Sequence, residues 1–229
     1  DNKTIMRRLI YGATLVLLIC LKQLARVVGY LWPRDPKLVA LGAWMGTAYA
    51  DSPKYLAEYL LYHSDLKLVW IGNREVMGQL PKHPRIYFKQ KDTIAAALSL
   101  LRAGTWICCI SMEWDMTSWP IEGKAKLINT VHGFSLKKGG NKTGDGAKRR
   151  GTFLGKLMRK MSLHRKPWGL VAGEKDVPKL VVDDADYFDK DKILRIGSPT
   201  VSFLIHNKAD GALISEVKKK YARDRKSVV

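Results

Sequence analysis

Asp92-Thr93-Ile94-Ala95-Ala96-Ala97-Leu98-Ser99-Leu100-Leu101-Arg102-Ala103-Gly104-Thr105-Trp106-Ile107-Cys108-Cys109-Ile110 is the stretch on which the fold turns. Its first half carries apolar residues at helical spacing behind an acid that can cap a helix over Thr93 to Arg102. Its second half, Trp106 to Ile110, is a short unbroken apolar run of the kind a buried strand needs. The same alternation extends outward on both sides. Upstream, Lys37 to Leu41 is a β-type run that stops at Gly42, Pro53 to Tyr62 is helical in spacing, and Leu68 to Ile71 stops at Gly72. Downstream, Leu127 to Val131 is a strand ending on His132-Gly133, followed by a Gly/Lys loop and a helical stretch near Phe153 to Met161. Leu170 to Ala172, Ile193 to Ile196 and a last helix from Asp210 to Tyr221 complete the series.

Strands alternating with helices of this length predict an α/β chain, a Rossmann-like parallel sheet with helices on both faces. In such sheets ligands sit at the carboxyl ends of strands, which singles out Gly42 to Asp51, Ser111 to Asp115 and His132 to Gly140. The acids in those loops, Asp51, Glu113 and Asp115, read either as cleft lining or as helix caps and partners for the many Lys and Arg side chains.

The chain of 229 residues is long enough for one large domain plus a terminal extension, and 46% apolar content excludes a disordered chain. A net charge of +19 attracts polyanions: nucleic acid, acidic lipid or a phosphate-bearing substrate. The basic residues cluster from Lys137 through Lys166 and from Lys218 to Lys226. Cys20, Cys108 and Cys109 form neither a disulfide framework nor a metal spacing and read as reduced packing residues. His63, His83, His164 and His206 show no HxxxH or HExxH pairing, so no metal site is expected.

Residues 1–34 form a separate segment. Leu9 to Leu21 lacks charge, yet Arg7 and Arg8 precede it and Lys22 and Arg26 follow. The run is short of the roughly 20 apolar residues a spanning helix needs. Arg8, Lys22 and Arg26 fall near whole helical turns, and Tyr30 and Trp32 suit the headgroup level. The prediction, against a cleaved signal peptide, a true span or a buried core helix, is an amphipathic helix lying on an anionic membrane surface, with Arg7, Arg8, Lys22, Arg26 and Trp32 as its contacts, ended by the stiff Trp32-Pro33-Arg34-Asp35-Pro36 linker.

The most informative motif is Asn129-Thr130-Val131-His132-Gly133-Phe134-Ser135-Leu136-Lys137-Lys138-Gly139-Gly140. A histidine at a strand end, a glycine that lets backbone approach a ligand, and two lysines suit phosphate chemistry. Read alone, the loop is also compatible with a structural histidine and a solvated basic turn, or with a nucleic-acid contact. The segment resembles the Trp-His-Gly-x-Pro-Leu-Lys-Lys-x-Gly signature of the CDP-glycerol glycerophosphotransferase family, enzymes of teichoic acid synthesis. His132, Gly133, Leu136, Lys137, Lys138 and Gly140 match, while Val131 and Ser135 depart. Gly46, Tyr49, Asp51 and the following Lys54-Tyr55-Leu56 resemble the family's opening motif. Ile193 to Pro199 resembles the strand before its Gly-Tyr-Pro-Arg motif, with Ser198 and Thr200 departing from Tyr and Arg.

The resemblance implies the amino-terminal, acceptor-side domain of a GT-B-type transferase over residues 35–229, with the C-terminal donor-binding domain absent and this chain alone inactive. It implies transfer of glycerol phosphate, or a similar polyol phosphate, from CDP-glycerol or CDP-ribitol to a lipid-linked polyol-phosphate acceptor at the cytoplasmic face of a bacterial membrane. His132 would be the catalytic base, and Gly133, Lys137, Lys138, Gly46 and Asp51 would bind acceptor or phosphate. No tightly bound cofactor is implied. Nucleic acid is not expected as a partner, and the sequence leaves oligomeric state open. The rival readings are a GT-B glycosyltransferase using a nucleotide sugar and a non-enzymatic polyanion-binding module using Lys137 to Lys166.

Overall fold

The computed structural model describes residues 2–119, 121–131, 168–170, 190–207, 210–212 and 215. A 30-residue helix, α1 (Asn2–Leu31), leads into β1 (Asp35–Leu41), α2 (Asp51–His63), β2 (Lys67–Gly72), β3 (Ile86–Gln90), α3 (Ile94–Arg102), β4 (Ala103–Cys108), a short α4 (Met112–Asp115) and β5 (Lys126–Asn129). Beyond it lie β6 (Trp168–Leu170), β7 (Ile193–Leu194) and α5 (Pro199–His206). The seven strands form one sheet in the order β3-β2-β1-β4-β5-β6-β7, and all six pairings are parallel. The predicted α/β sheet is therefore present.

Period-two alternation along the central strands builds a core on each face. Val39, Leu41, Leu68, Trp70 and Ile107 point to the side where α2 inserts Ala57 and Leu61. Their neighbours Ala40, Val69, Ile71, Trp106 and Cys108 point to the other, against Ala96 and Leu100 of α3. Both faces of the sheet are thus covered by helix, as the apolar runs require.

Several boundaries differ from expectation. β3 was not anticipated: it is an edge strand of mixed character, with Tyr87 half exposed and Lys89 and Gln90 in its second half, so it has no continuous apolar run. Asp92 does not cap α3. Its backbone is left-handed (φ 57°) and its Oδ1 accepts from the Ser118 N–H at 2.6 Å, while Thr93 is the N-cap and accepts from the Ala96 N–H. β4 starts at Ala103 and ends at Cys108, earlier than the apolar run suggested. α5 was also unforeseen, although Pro199 at its first turn is a helix-start signal. The helices expected at Phe153 to Met161 and over most of Asp210 to Tyr221 lie outside the described residues.

The end of α1 is joined to the amino edge of the sheet. Nη1 of Arg34 donates to Leu100 O and Ala103 O, both at 2.9 Å, Nη2 donates to Gly29 O at 3.2 Å, and the guanidinium lies 5.0 Å from the Trp106 ring centre. A side chain at Gly29 would collide with the Glu122 carbonyl, so glycine there permits the close approach. Arg26, read from the sequence as a membrane contact, sets its Nε 3.0 Å from Glu122 Oε2. Arg7, Arg8 and Lys22 lie within α1, but their side chains are outside the description, and Trp32 is partly buried. Ile10, Leu17, Leu21, Leu24 and Leu31 recur at helical spacing on α1 and are exposed. Among the described residues no helix is long and apolar enough to cross a membrane.

Candidate functional site

In the strand order, β1 and β4 are adjacent, but the chain leaves β1 toward β2 and leaves β4 toward β5. The crevice at their carboxyl ends is the topological switch point of the sheet, where open α/β folds bind ligands. Two loops border it, Gly42 to Ala50 and Cys109 to Ser111 with α4.

Asp115 fastens these loops together. It is fully buried. Its Oδ2 accepts from the backbone N–H groups of Cys109 at 2.9 Å and Ile110 at 2.7 Å, and its Oδ1 accepts from the Met45 N–H at 2.9 Å. The two sequence readings of this acid are thereby separated: it is a structural clamp, not cleft lining. Ser111 caps α4 by accepting from the Trp114 N–H at 3.2 Å.

The loop after β1 is strained. Trp44, Met45 and Gly46 follow one another in left-handed conformation, with φ of 48°, 57° and 80°. For glycine this is free, whereas for each of the other two it costs about 1–2 kcal/mol. The turn is held from several sides: Trp44 N–H to Cys109 Sγ at 3.4 Å, Asn73 N–H to Gly46 O at 2.6 Å, and Lys91 Nζ to Trp114 O at 2.6 Å and Met45 O at 3.4 Å. Gly46, predicted to bind the acceptor, is buried within it.

At the end of β5 a second strained turn leads into the motif. Thr130, buried, gives both its N–H (2.8 Å) and its hydroxyl (3.1 Å) to Cys108 O. The Asn129 amide donates to Ile110 O at 2.7 Å and its Oδ1 accepts from the Val131 N–H at 2.8 Å. Val131, immediately before the predicted base, has φ 54°. A β-branched residue in this region is a true outlier, and such outliers concentrate where function over-determines the backbone. The predicted residues His132, Gly133, Lys137 and Lys138 lie outside the described residues.

Asp51, at the start of α2, is also left-handed (φ 60°). Its Oδ1 accepts from the Ser52 N–H at 2.7 Å and from the Thr200 hydroxyl at 3.0 Å. The Ser52 hydroxyl lies 3.0 Å from that of Thr200. The first turns of α2 and α5 are thus tied together through the positions where the sequence departs from the family's Gly-Tyr-Pro-Arg pattern, and stacking of Tyr55 on Phe203 at 4.3 Å extends the contact.

The cysteines under the crevice are packing residues with a measurable signature. Burial, and after it the Asp115 carboxylate, pushes the Cys109 thiol from 9.0 up to about 12, and burial raises Cys108 as well. Between these values the native chain holds a proton that the unfolded chain has released. The Cys109 contribution is therefore fully present below pH 9.0 and is lost as pH rises toward about 12. The urea midpoint should fall between about pH 8 and about pH 11, and fall less steeply in Cys109→Ala. Identical slopes for the two proteins would contradict the assignment.

A family described as CDP-glycerol:poly(glycerophosphate) glycerophosphotransferase matches residues 25–229. The chain is similar to a teichoic acid glycerol-phosphate transferase of Staphylococcus aureus, with 26% identity over 185 residues, which are 80% of this chain and 46% of that protein. It is also similar to a teichoic acid poly(glycerol phosphate) polymerase of Staphylococcus epidermidis, at 22% identity over 80% of this chain and 25% of that one. Among solved structures it resembles the wall teichoic acid polymerase TagF, with a TM-score of 0.67 at 19% identity, covering 94% of this chain and 52% of that one. The chain thus spans between a quarter and about half of the length of these relatives.

Proposed function

The chain belongs to the CDP-glycerol:poly(glycerophosphate) glycerophosphotransferase family, and we propose that it forms the acceptor-side part of an enzyme that transfers glycerol phosphate, or a closely similar polyol phosphate, from a CDP-linked donor to a teichoic acid acceptor. In this reading an acceptor hydroxyl attacks the β-phosphorus of the donor. The new phosphodiester forms as the bond to the bridging oxygen breaks, and CMP leaves. His132 takes the hydroxyl proton, a role suited to imidazole near neutral pH. Lys137 and Lys138 offset phosphate charge, and Gly133 lets the backbone come close. The donor, CDP-glycerol or CDP-ribitol, is bound by a second domain in a GT-B arrangement.

The observation that carries the reading is the approach to the His132 motif. The end of β5 is locked to β4 and the loop after it through Asn129 and Thr130, and Val131, the next residue and the last before the motif's histidine, is left-handed. The domain division follows the same logic, with residues 1–34 as a membrane-surface segment and residues 35–229 as the acceptor-side domain. The exposed apolar side chains of α1 support attachment to an anionic lipid surface, which this reading places on the cytoplasmic side, with a lipid-linked acceptor within reach.

The test is CMP release from CDP-glycerol by the full-length protein with membrane-embedded acceptor, run with and without residues 1–31. Acceptor-dependent release, with the truncated form moving to the soluble fraction, is the expected outcome. Release from a nucleotide sugar in place of CDP-glycerol would overturn the reaction, and unchanged partitioning of the truncated form would overturn the membrane assignment.

A further inference from the structure

The strained turn after β1 places large apolar side chains at the rim of the switch-point crevice instead of in the core. Trp44 and Met45 are 42% and 43% exposed, and Trp114, within the facing α4, is 60% exposed. The Lys91 ammonium lies between them, bonded to the carbonyls of both Met45 and Trp114. A chain that needed only to turn a corner here would place glycine or asparagine at the left-handed positions. Tryptophan and methionine in that conformation, fixed by Asp115 and Cys109 beneath them, is strain retained at the rim of the crevice.

We propose that Trp44, Met45 and Trp114 form an apolar platform that seats the carbon chain of the acceptor's polyol-phosphate repeat, with Lys91 beside it to meet the phosphate. The proposal rests on the glycerophosphotransferase reading and names the acceptor subsite of that reaction. Two observations favour this occupant. The platform stands at the switch point, against the β4 loop to which Asn129 ties the end of β5. Its chemistry also alternates apolar surface with a cation, matching a polymer that alternates carbon segments with phosphate, in a chain of net charge +19.

The experiment measures binding of a short end-labelled poly(glycerol phosphate) to the full chain, with inorganic polyphosphate as a probe of charge alone. The wild-type chain should prefer the glycerol-containing polymer. Trp44→Gly and Trp114→Ala should each weaken its binding about tenfold while changing polyphosphate binding much less. Trp44→Gly should also unfold no earlier than wild type, because glycine adopts the left-handed turn without penalty. That pairing of lost binding with retained stability is one a purely structural tryptophan would not show. In the full-length enzyme both variants should raise the acceptor KM with the CDP-glycerol KM unmoved.

Equal wild-type affinity for the two polymers, or retention of the preference in both variants, overturns the platform. So does a loss confined to domain association, which would mark the surface as a protein interface. The two proposals fail separately: selective polymer binding without CMP release would sink the reaction and leave the platform, and normal release with an unmoved acceptor KM would do the reverse.

Discussion

His132→Ala is expected to lower acceptor-dependent CMP release by about two to four orders of magnitude, the usual contribution of a positioned general base. The expectation rests on more than the family motif. Asn129, Thr130 and Val131 leave the backbone little freedom as it enters position 132: two buried polar side chains bond into the β4 loop, and the last residue is held in a conformation valine avoids. If that turn exists to place the base, Asn129→Ala should lower kcat more than it raises KM, and it should leave binding of poly(glycerol phosphate) nearly intact. Near-normal turnover in folded His132→Ala protein would remove this residue from the base role, whatever the reaction proves to be.

The second large effect is on stability. Asp115→Ala removes the acceptor for three backbone N–H groups, two of them just beyond β4, the Cys109 one buried and the Ile110 one partly so, and a third, partly buried, in the Trp44–Gly46 turn. Each buried donor left without a partner costs about 1–3 kcal/mol, and a whole domain is stable by only about 5–15 kcal/mol. The variant should fail to fold or should melt far below wild type by near-ultraviolet circular dichroism. Asp115→Asn keeps the shape but has one acceptor oxygen where two are used, so it should fall between. A melting temperature for Asp115→Ala within a few degrees of wild type would mean that water or rearranged backbone replaces the carboxylate. It would also undercut the account of how the strained turn is held.

The parts of the fold that could be read in advance share a physical cause. Strands such as Leu68 to Ile71 are buried on both faces, so they appear as continuous apolar runs bounded by glycine. β3 at the sheet edge has no such constraint and left no clear signal. Asp92 looked like a cap because an acid before an apolar run usually is one; the left-handed kink at Asp92 gives the cap to Thr93 instead. The site was legible only as a set of loops. The clamp made by Asp115 joins backbone amides as far as 70 positions away in sequence, and a backbone donor has no residue type to recognise. Nor did composition reveal the turn at Trp44 and Met45, since neither residue is one that ordinarily marks a positive φ.

The joint between α1 and the sheet sets a length scale. Arg34, Gly29 and the Arg26–Glu122 pair hold the end of α1 at the edge where β1 and β4 begin, while the crevice lies where those strands end. Seven residues of β1 at about 3.3 Å each put about 23 Å of protein between the two edges. Were α1 to rest on lipid as proposed, that interval would act as a ruler: a tethered acceptor would reach the crevice only once it had grown long enough to climb the height of the sheet, and the thickness of the domain would then select extended chains over newly started ones.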